Sequence, residues 1–169
     1  PTSDKINIKE GATLKITKEE ETTIPDLTFV KTNDNTEDFA LLLGNISITA
    51  ATYSEVDIQT NGTIKLSDTT EENSIGSLKI GSGELTIETL HAENLTNDGI
   101  LSTKTVTVTE NITNVGEITS DTVLANNDLE NNGNLNATTS VEATNITNSG
   151  SMNVATTNVD GKLIDNGSW

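Results

Sequence analysis

Five glycines stand at one fixed interval: Gly99, Gly116, Gly133, Gly150 and Gly167 are each 17 residues apart, and their neighbours recur with them. The text around them runs Asn94-Leu-Thr-Asn-Asp-Gly-Ile-Leu101, Asn111-Ile-Thr-Asn-Val-Gly-Glu-Ile118, Asp128-Leu-Glu-Asn-Asn-Gly-Asn-Leu135, Asn145-Ile-Thr-Asn-Ser-Gly-Ser-Met152 and Lys162-Leu-Ile-Asp-Asn-Gly-Ser-Trp169. A repeat this short holds neither two helices nor a strand with a full helix, so stacked turns of β-structure remain. The expected fold is all-β, a single parallel β-helix (β-solenoid) with about 17 residues per turn in the C-terminal half. The usual chirality of parallel crossovers makes it right-handed.

Columns read down the repeats separate inside from outside. Leu95, Ile112, Leu129, Ile146 and Leu163 stand four residues before each glycine, and Leu101, Ile118, Leu135, Met152 and Trp169 two residues after it. Alternation on a strand sends every second side chain inward, so both columns are expected in the core. Val106 and Val108, Val123 and Ala125, Val141 and Ala143, and Val154 and Val159 supply a second apolar face, where the register slips by about a residue between turns. Two residues before each glycine stands Asn97, Asn114, Asn131, Asn148 and then Asp165. Turns stacked about 4.8 Å apart let identical carboxamides hydrogen-bond up the coil as a ladder, and the glycine beyond is expected to turn the corner with positive φ. A metal-binding file is the alternative for this column, but carboxamides are weak ligands and only Asp165 is charged.

Upstream the same pattern runs with irregular spacing. Gly44-Asn-Ile-Ser-Ile48 lies 18 residues before Gly62, Gly62 lies 21 before Gly83, and Gly83 lies 16 before Gly99. The long interval marks Ser67 to Ser74 as a loop bulging out of the coil. Residues 1–43 alternate at Ile6-Asn-Ile8 and Leu14-Lys-Ile16, carry an acidic loop at Lys18 to Glu21, and read as an N-terminal cap or as less regular turns. Phe39-Ala-Leu-Leu-Leu43 reads as strand. Residues 44–169 read as the solenoid proper, and the stop in mid-motif at Trp169 marks a piece of a longer coil.

Only 32% of the 169 residues are hydrophobic and 2% aromatic, thin for a sphere but sufficient for an elongated coil with a narrow aliphatic column. The net charge is −17 and every basic residue is Lys, so nucleic acid is excluded as a partner: phosphate backbones require a positive footprint. The negative charge favours solubility and keeps β-rich surfaces apart. No cysteine is present, and no apolar run reaches membrane-spanning length, so no membrane contact is expected of these residues.

No nucleophile and base can be paired from this sequence, and no catalytic, cofactor-binding or metal-ligating residue is assigned. The single histidine, His91, lies between Leu90 and Ala92; with those two turned inward, it faces solvent. Carboxylate pairs such as Glu55 with Asp57, or the run Glu19-Glu20-Glu21, arise by chance among 26 acidic residues. Phosphate loops, zinc spacings and calcium nonapeptides are missing. The sequons at Asn45, Asn61, Asn94, Asn111, Asn136, Asn145 and Asn166 follow from a composition rich in Asn and Thr. Thr105, Thr122, Thr139 and Thr156 form a column six residues after each glycine. Ice-binding coils set two such files side by side; here the partners are Thr107, Leu124, Val141 and Asn158, and the column reads as a structural ladder.

The repeats Asn111-Ile-Thr-Asn-Val-Gly-Glu-Ile118 and Asp128-Leu-Glu-Asn-Asn-Gly-Asn-Leu135, with Thr, Ser and Asn outside and no Cys, resemble the β-helical passenger regions of bacterial autotransporters and filamentous-haemagglutinin-type adhesins. The resemblance covers residues 83–169 well and the first half loosely. It implies secretion to an extracellular or outer-surface location, where the coil is a stalk and its loops or faces adhere. No functional residue of that family maps onto this chain. The expected role is a non-enzymatic stalk or adhesion segment without cofactors, its partner a host glycan or protein ligand or another β-helix. A carbohydrate-active β-helix enzyme is the alternative, although its usual Arg and aromatic platforms are lacking, with only Tyr53 and Trp169 as polar-tipped aromatics; an ice-binding coil is a further one.

Overall fold

A computed structural model describes residues 4–9, 11–32 and 39–169. Residues 1–3, 10 and 33–38 of the N-terminal 1–43 segment lie outside the described residues. The strands are β1 (Asp4–Ile8), β2 (Thr13–Ile24), β3 (Leu27–Lys31), β4 (Phe39–Ile48), β5 (Ala51–Thr52), β6 (Asp57–Lys65), β7 (Ile75–Thr86) and β8 (Thr89–Asn97). They continue as β9 (Ile100–Ser102), β10 (Thr105–Val108), β11 (Ile112–Asn114), β12 (Glu117–Asn131), β13 (Asn134–Asn148), β14 (Ser151–Val154), β15 (Thr157–Val159) and β16 (Leu163–Asp165). Each pairs in parallel with the turn before or after it, and the chain is a β-solenoid. The N-terminal strands are turns of the same coil: β1, β3 and β5 stack as one sheet, while β2 pairs β4 and β4 pairs β6. Phe39–Leu43 is strand, within β4. The acidic run at Lys18 to Glu21 is a register shift inside β2 rather than a separate loop.

Three inward files build the core. One runs Ala40, Ile58, Leu78, Leu95, Ile112, Leu129 and Ile146. A second runs Ile46, Ile64, Leu85, Leu101, Ile118, Leu135 and Met152. The third pairs Leu90, Val106, Val123 and Val141 with Ala92, Val108, Ala125 and Ala143. All of these side chains are buried. The loosely spaced turns before Gly83 thus feed the same files as the strict ones, because register is fixed by burial and not by residue count.

Two members expected inside are exposed: Leu163 is 50% and Trp169 49% accessible. Both lie in the last of the described turns, where the described residues pack on one side only. Val154 also changes place. It stacks on Ala137, and Thr157 takes the position above Val141.

The amide ladder is present. Nδ2 of Asn97 donates to Oδ1 of Asn114 at 2.8 Å, Asn114 to Asn131 at 2.7 Å, Asn131 to Asn148 at 2.8 Å, and Asn148 to Asp165 at 2.8 Å. The second amide hydrogen of each goes to a backbone carbonyl of the following turn: Glu117, Asn134, Ser151 and Ser168. A fully buried side chain with every hydrogen placed stabilises the corner; with one partner removed, the remaining groups stay desolvated and unpaired. Asn131→Leu is therefore expected to cost about 3 kcal/mol, because it strips the donor from Asn148 Oδ1 and the acceptor from Asn114. Chemical denaturation checks this; a loss below about 0.5 kcal/mol would show that the ladder contributes little.

The glycines beside the ladder correct an expectation. Only Gly44 (φ +93°), Gly62 (φ +124°) and Gly83 (φ +114°) in this column take positive φ; Gly99, Gly116, Gly133, Gly150 and Gly167 do not. In those five a Cβ would overlap the backbone of the turn beneath: at Gly116 the carbonyl oxygen of Gly99, at Gly133 that of Gly116. Close approach, not backbone freedom, selects glycine there. The change coincides with the start of the ladder. The position beneath Asn97 is Ile80, and beneath that Thr60 and Leu42. Asn97 Oδ1, facing no amide donor, is buried without a hydrogen bond.

Candidate functional site

A lateral groove of about 510 Å³ runs along the corner between the β8–β10 face and the turn below it. One wall comes from the 21-residue interval between Gly62 and Gly83. Its loop, Ser67 to Ser74, does not bulge freely as the sequence implied. Thr69 is buried, its hydroxyl donating to Thr89 O at 3.0 Å and accepting from His91 N at 2.5 Å, while Asp68 Oδ1 accepts from Thr89 N at 3.0 Å. On its other side Asn73 accepts from Tyr53 N at 2.7 Å and donates to Ala51 O at 2.9 Å. The loop thus stands in for a strand, its polar side chains replacing ladder bonds to both neighbouring turns.

Beneath it Ser54 and Glu55 take φ of 50° and 55°, two successive left-handed residues with side chains. Bonds from Glu55 N to Ser74 O and from Val56 N to Tyr53 O, both 3.0 Å, hold this bend and set Glu55 on the groove wall. Such a conformation persists only where its surroundings impose it. Tyr53 anchors the bend. Its ring is buried against Phe29, centroids 6.0 Å apart and 14° from parallel, and its hydroxyl donates to Ser67 O at 2.7 Å. Burial pushes its pKa up to about 12, so the phenol stays protonated and structural. Tyr53 is thereby removed as a sugar platform, and Trp169 stands on the last turn, away from the groove lining.

Glu55, Glu71, Glu93 and Glu110 line the groove together with His91, which is half-buried between the inward Leu90 and Ala92; no Lys is among the lining residues. Asn127 Nδ2 holds Glu110 Oε2 at 2.6 Å. The lining is anionic and rich in acceptors, suited to cations or to hydroxyl donors. No nucleophile hydrogen-bonded to a base lines the groove; the Thr138 hydroxyl, which donates to Asp121 Oδ1 at 2.6 Å, stands outside it, and no group of three or more His, Asp or Glu side chains among the described residues converges as a metal site.

Outside the groove, Lys104 Nζ meets Glu88 Oε1 at 2.8 Å on the open surface. The pairing lowers the Glu88 pKa and raises that of Lys104, but both groups are fully solvated and the pair is screened. Sequon asparagines are structural in part: Oδ1 of Asn94, Asn111 and Asn145 accepts the backbone N–H of Asn111, Asp128 and Lys162 in the following turn. The Thr column is broken, since Thr122 stacks on Ser140 and not on Thr139. Its neighbouring outward file reads His91, Thr107, Leu124, Glu142 and Asn158, which presents no regular hydroxyl array.

No helix among the described residues is long and apolar enough to cross a membrane. Comparison with protein-family models, curated proteins and solved structures finds no match to this chain.

Proposed function

We propose that this chain is a non-enzymatic stalk or adhesion segment of a bacterial surface or secreted protein. The observation that carries this reading is where the periodicity lies. The side chains that recur turn after turn are the aliphatic files, the amide ladder and the glycines, all engaged within the coil. Outward positions are held less strictly, and the file that runs His91, Thr107, Leu124, Glu142 and Asn158 changes residue type at every turn. What has been repeated is therefore a scaffold, and a chain whose repetition serves only its own stacking supplies length and stiffness. The acidic surface keeps such rods apart and soluble.

The carboxylate groove favours one rival, a carbohydrate-active enzyme, because clustered carboxylates are the working groups of glycoside hydrolysis. Buried Tyr53 and the missing Arg leave that groove without the stacking platform and cation such sites combine. Incubation with a panel of plant, bacterial and host polysaccharides separates the readings. Saturable binding without release of reducing ends or unsaturated sugars is expected; release abolished by Glu93→Gln or Glu110→Gln would replace the stalk reading with the enzyme.

A further inference from the structure

A second surface is assigned by a departure from the repeat. The corner at Gly83, Gly99, Gly116 and Gly133 forms a shallow trough of about 610 Å³ whose floor carries no side chains. Packing of successive turns dictates that floor, as the glycine contacts show. The walls are not dictated. On one side the position after each glycine runs Glu84, Ile100, Glu117, Asn134 and Ser151. On the other, the position before each glycine runs Asp98, Val115, Asn132 and Ser149, each donating its N–H to the turn below in the same way. Every member is polar except Ile100 and Val115. These two lie on opposite walls, one beside Gly99 and the other beside Gly116, 42% and 54% exposed. The only other large hydrophobic side chains so exposed among the described residues, Leu163 and Trp169, belong to the last of the described turns.

Neither folding nor solubility calls for two aliphatic residues there, since the same positions in adjacent turns are filled by Glu, Asp and Asn. Glu84 and Glu117 flank Ile100 in its file, Asp98 lies before Val115 in the other, and no Lys lines the trough. We propose that this trough docks an extended peptide segment of a partner protein in which basic residues flank an apolar one. Charge complementarity and the spacing of the carboxylates select that occupant. Three carboxylates without a counter-cation attract Lys or Arg, and the aliphatic pair receives one apolar side chain and the stems of the basic ones. Glu84 and Glu117 are two turns apart, about 10 Å at the usual strand spacing, which basic residues four apart in an extended chain, about 13 Å, reach with their flexible stems while the residue midway between them faces Ile100. The absence of any aromatic side chain on the walls argues against a glycan. This surface goes beyond the stalk reading and stands without it.

The test is fluorescence anisotropy of a labelled pentapeptide, Lys-Thr-Leu-Thr-Lys, titrated with the whole chain at low salt. Saturable binding is expected with a dissociation constant on the order of 100 µM, as befits a small, open contact. The double variant Ile100→Ser with Val115→Ser, which leaves the charge unchanged, is expected to weaken binding about fivefold. Glu84→Gln with Glu117→Gln should weaken it about tenfold, while Glu93→Gln with Glu110→Gln, removing equal charge from the other groove, should change it less than about twofold. All substituted residues face outward, and circular dichroism confirms that each variant keeps its strand content. The proposal fails if binding does not saturate, if the apolar pair has no effect, or if the two charge variants weaken binding equally. Equal weakening would identify general attraction to a chain of net charge −17.

Discussion

Ile118→Asp is expected to destabilise the coil by about 4 kcal/mol or more and to melt its turns from the middle outward. Ile118 is fully buried, with Leu101 beneath it and Leu135 above. A carboxylate at that point has apolar neighbours in both adjacent turns and no donor in its file, so it loses hydration without gaining a partner. The same change at Leu135 should act alike, whereas Thr119→Asp, on the exposed side of the same strand, should leave stability within about 0.5 kcal/mol. Guanidinium unfolding followed by circular dichroism measures all three. A mild Ile118→Asp phenotype would mean that the second core file is misassigned.

Gly116→Ala should cost about 3 kcal/mol, a large penalty for one methyl group. The added Cβ overlaps the carbonyl oxygen of Gly99 and meets the backbone carbon atoms of Asp98 and Gly99. Those are main-chain atoms locked in the turn below, so relief requires the two turns to separate and their hydrogen bonds to lengthen. Gly11→Ala is the control. There φ is +70° but nothing lies within 4 Å of the new Cβ, so the cost is conformational alone, about 1 kcal/mol. Unfolding midpoints for the pair distinguish crowding from backbone freedom. If the two variants lose equal stability, crowding is not what selects glycine in this column.

Much of the architecture is legible in the sequence because a solenoid repeats its environment: where position recurs, residue type recurs, and both aliphatic columns and the Asn column could be read by counting from the glycines. Counting fails where turns of equal length distribute their residues differently. Between Ser120 and Thr122 one residue rounds a corner; in the next turn two, Thr138 and Thr139, round the same corner between Ala137 and Ser140. The following corner compensates, with Asn126 and Asn127 in one turn against Thr144 alone in the next. The interval between glycines stays 17, so Thr139 appears in register while standing at a corner. Positive φ was misassigned to Gly99 and its successors because a required glycine looks the same in the sequence whether φ or close packing requires it. The groove was not legible at all. Its wall depends on Thr69, Asp68 and Asn73 replacing a strand, and nothing periodic marks them.

That compensation between corners has a hereditary consequence. Faces tolerate no change of length, since each residue inward must meet its counterpart, but corners trade single residues without disturbing the files on either side. Duplicating or deleting one repeat-length stretch of coding sequence therefore yields a coil longer or shorter by one turn, with every aliphatic, amide and glycine neighbour supplied by the copy. Small slippages near a corner survive as well, whereas the same slippage within a face is eliminated. A lineage of such chains can vary in reach by whole turns while its outward side chains drift independently.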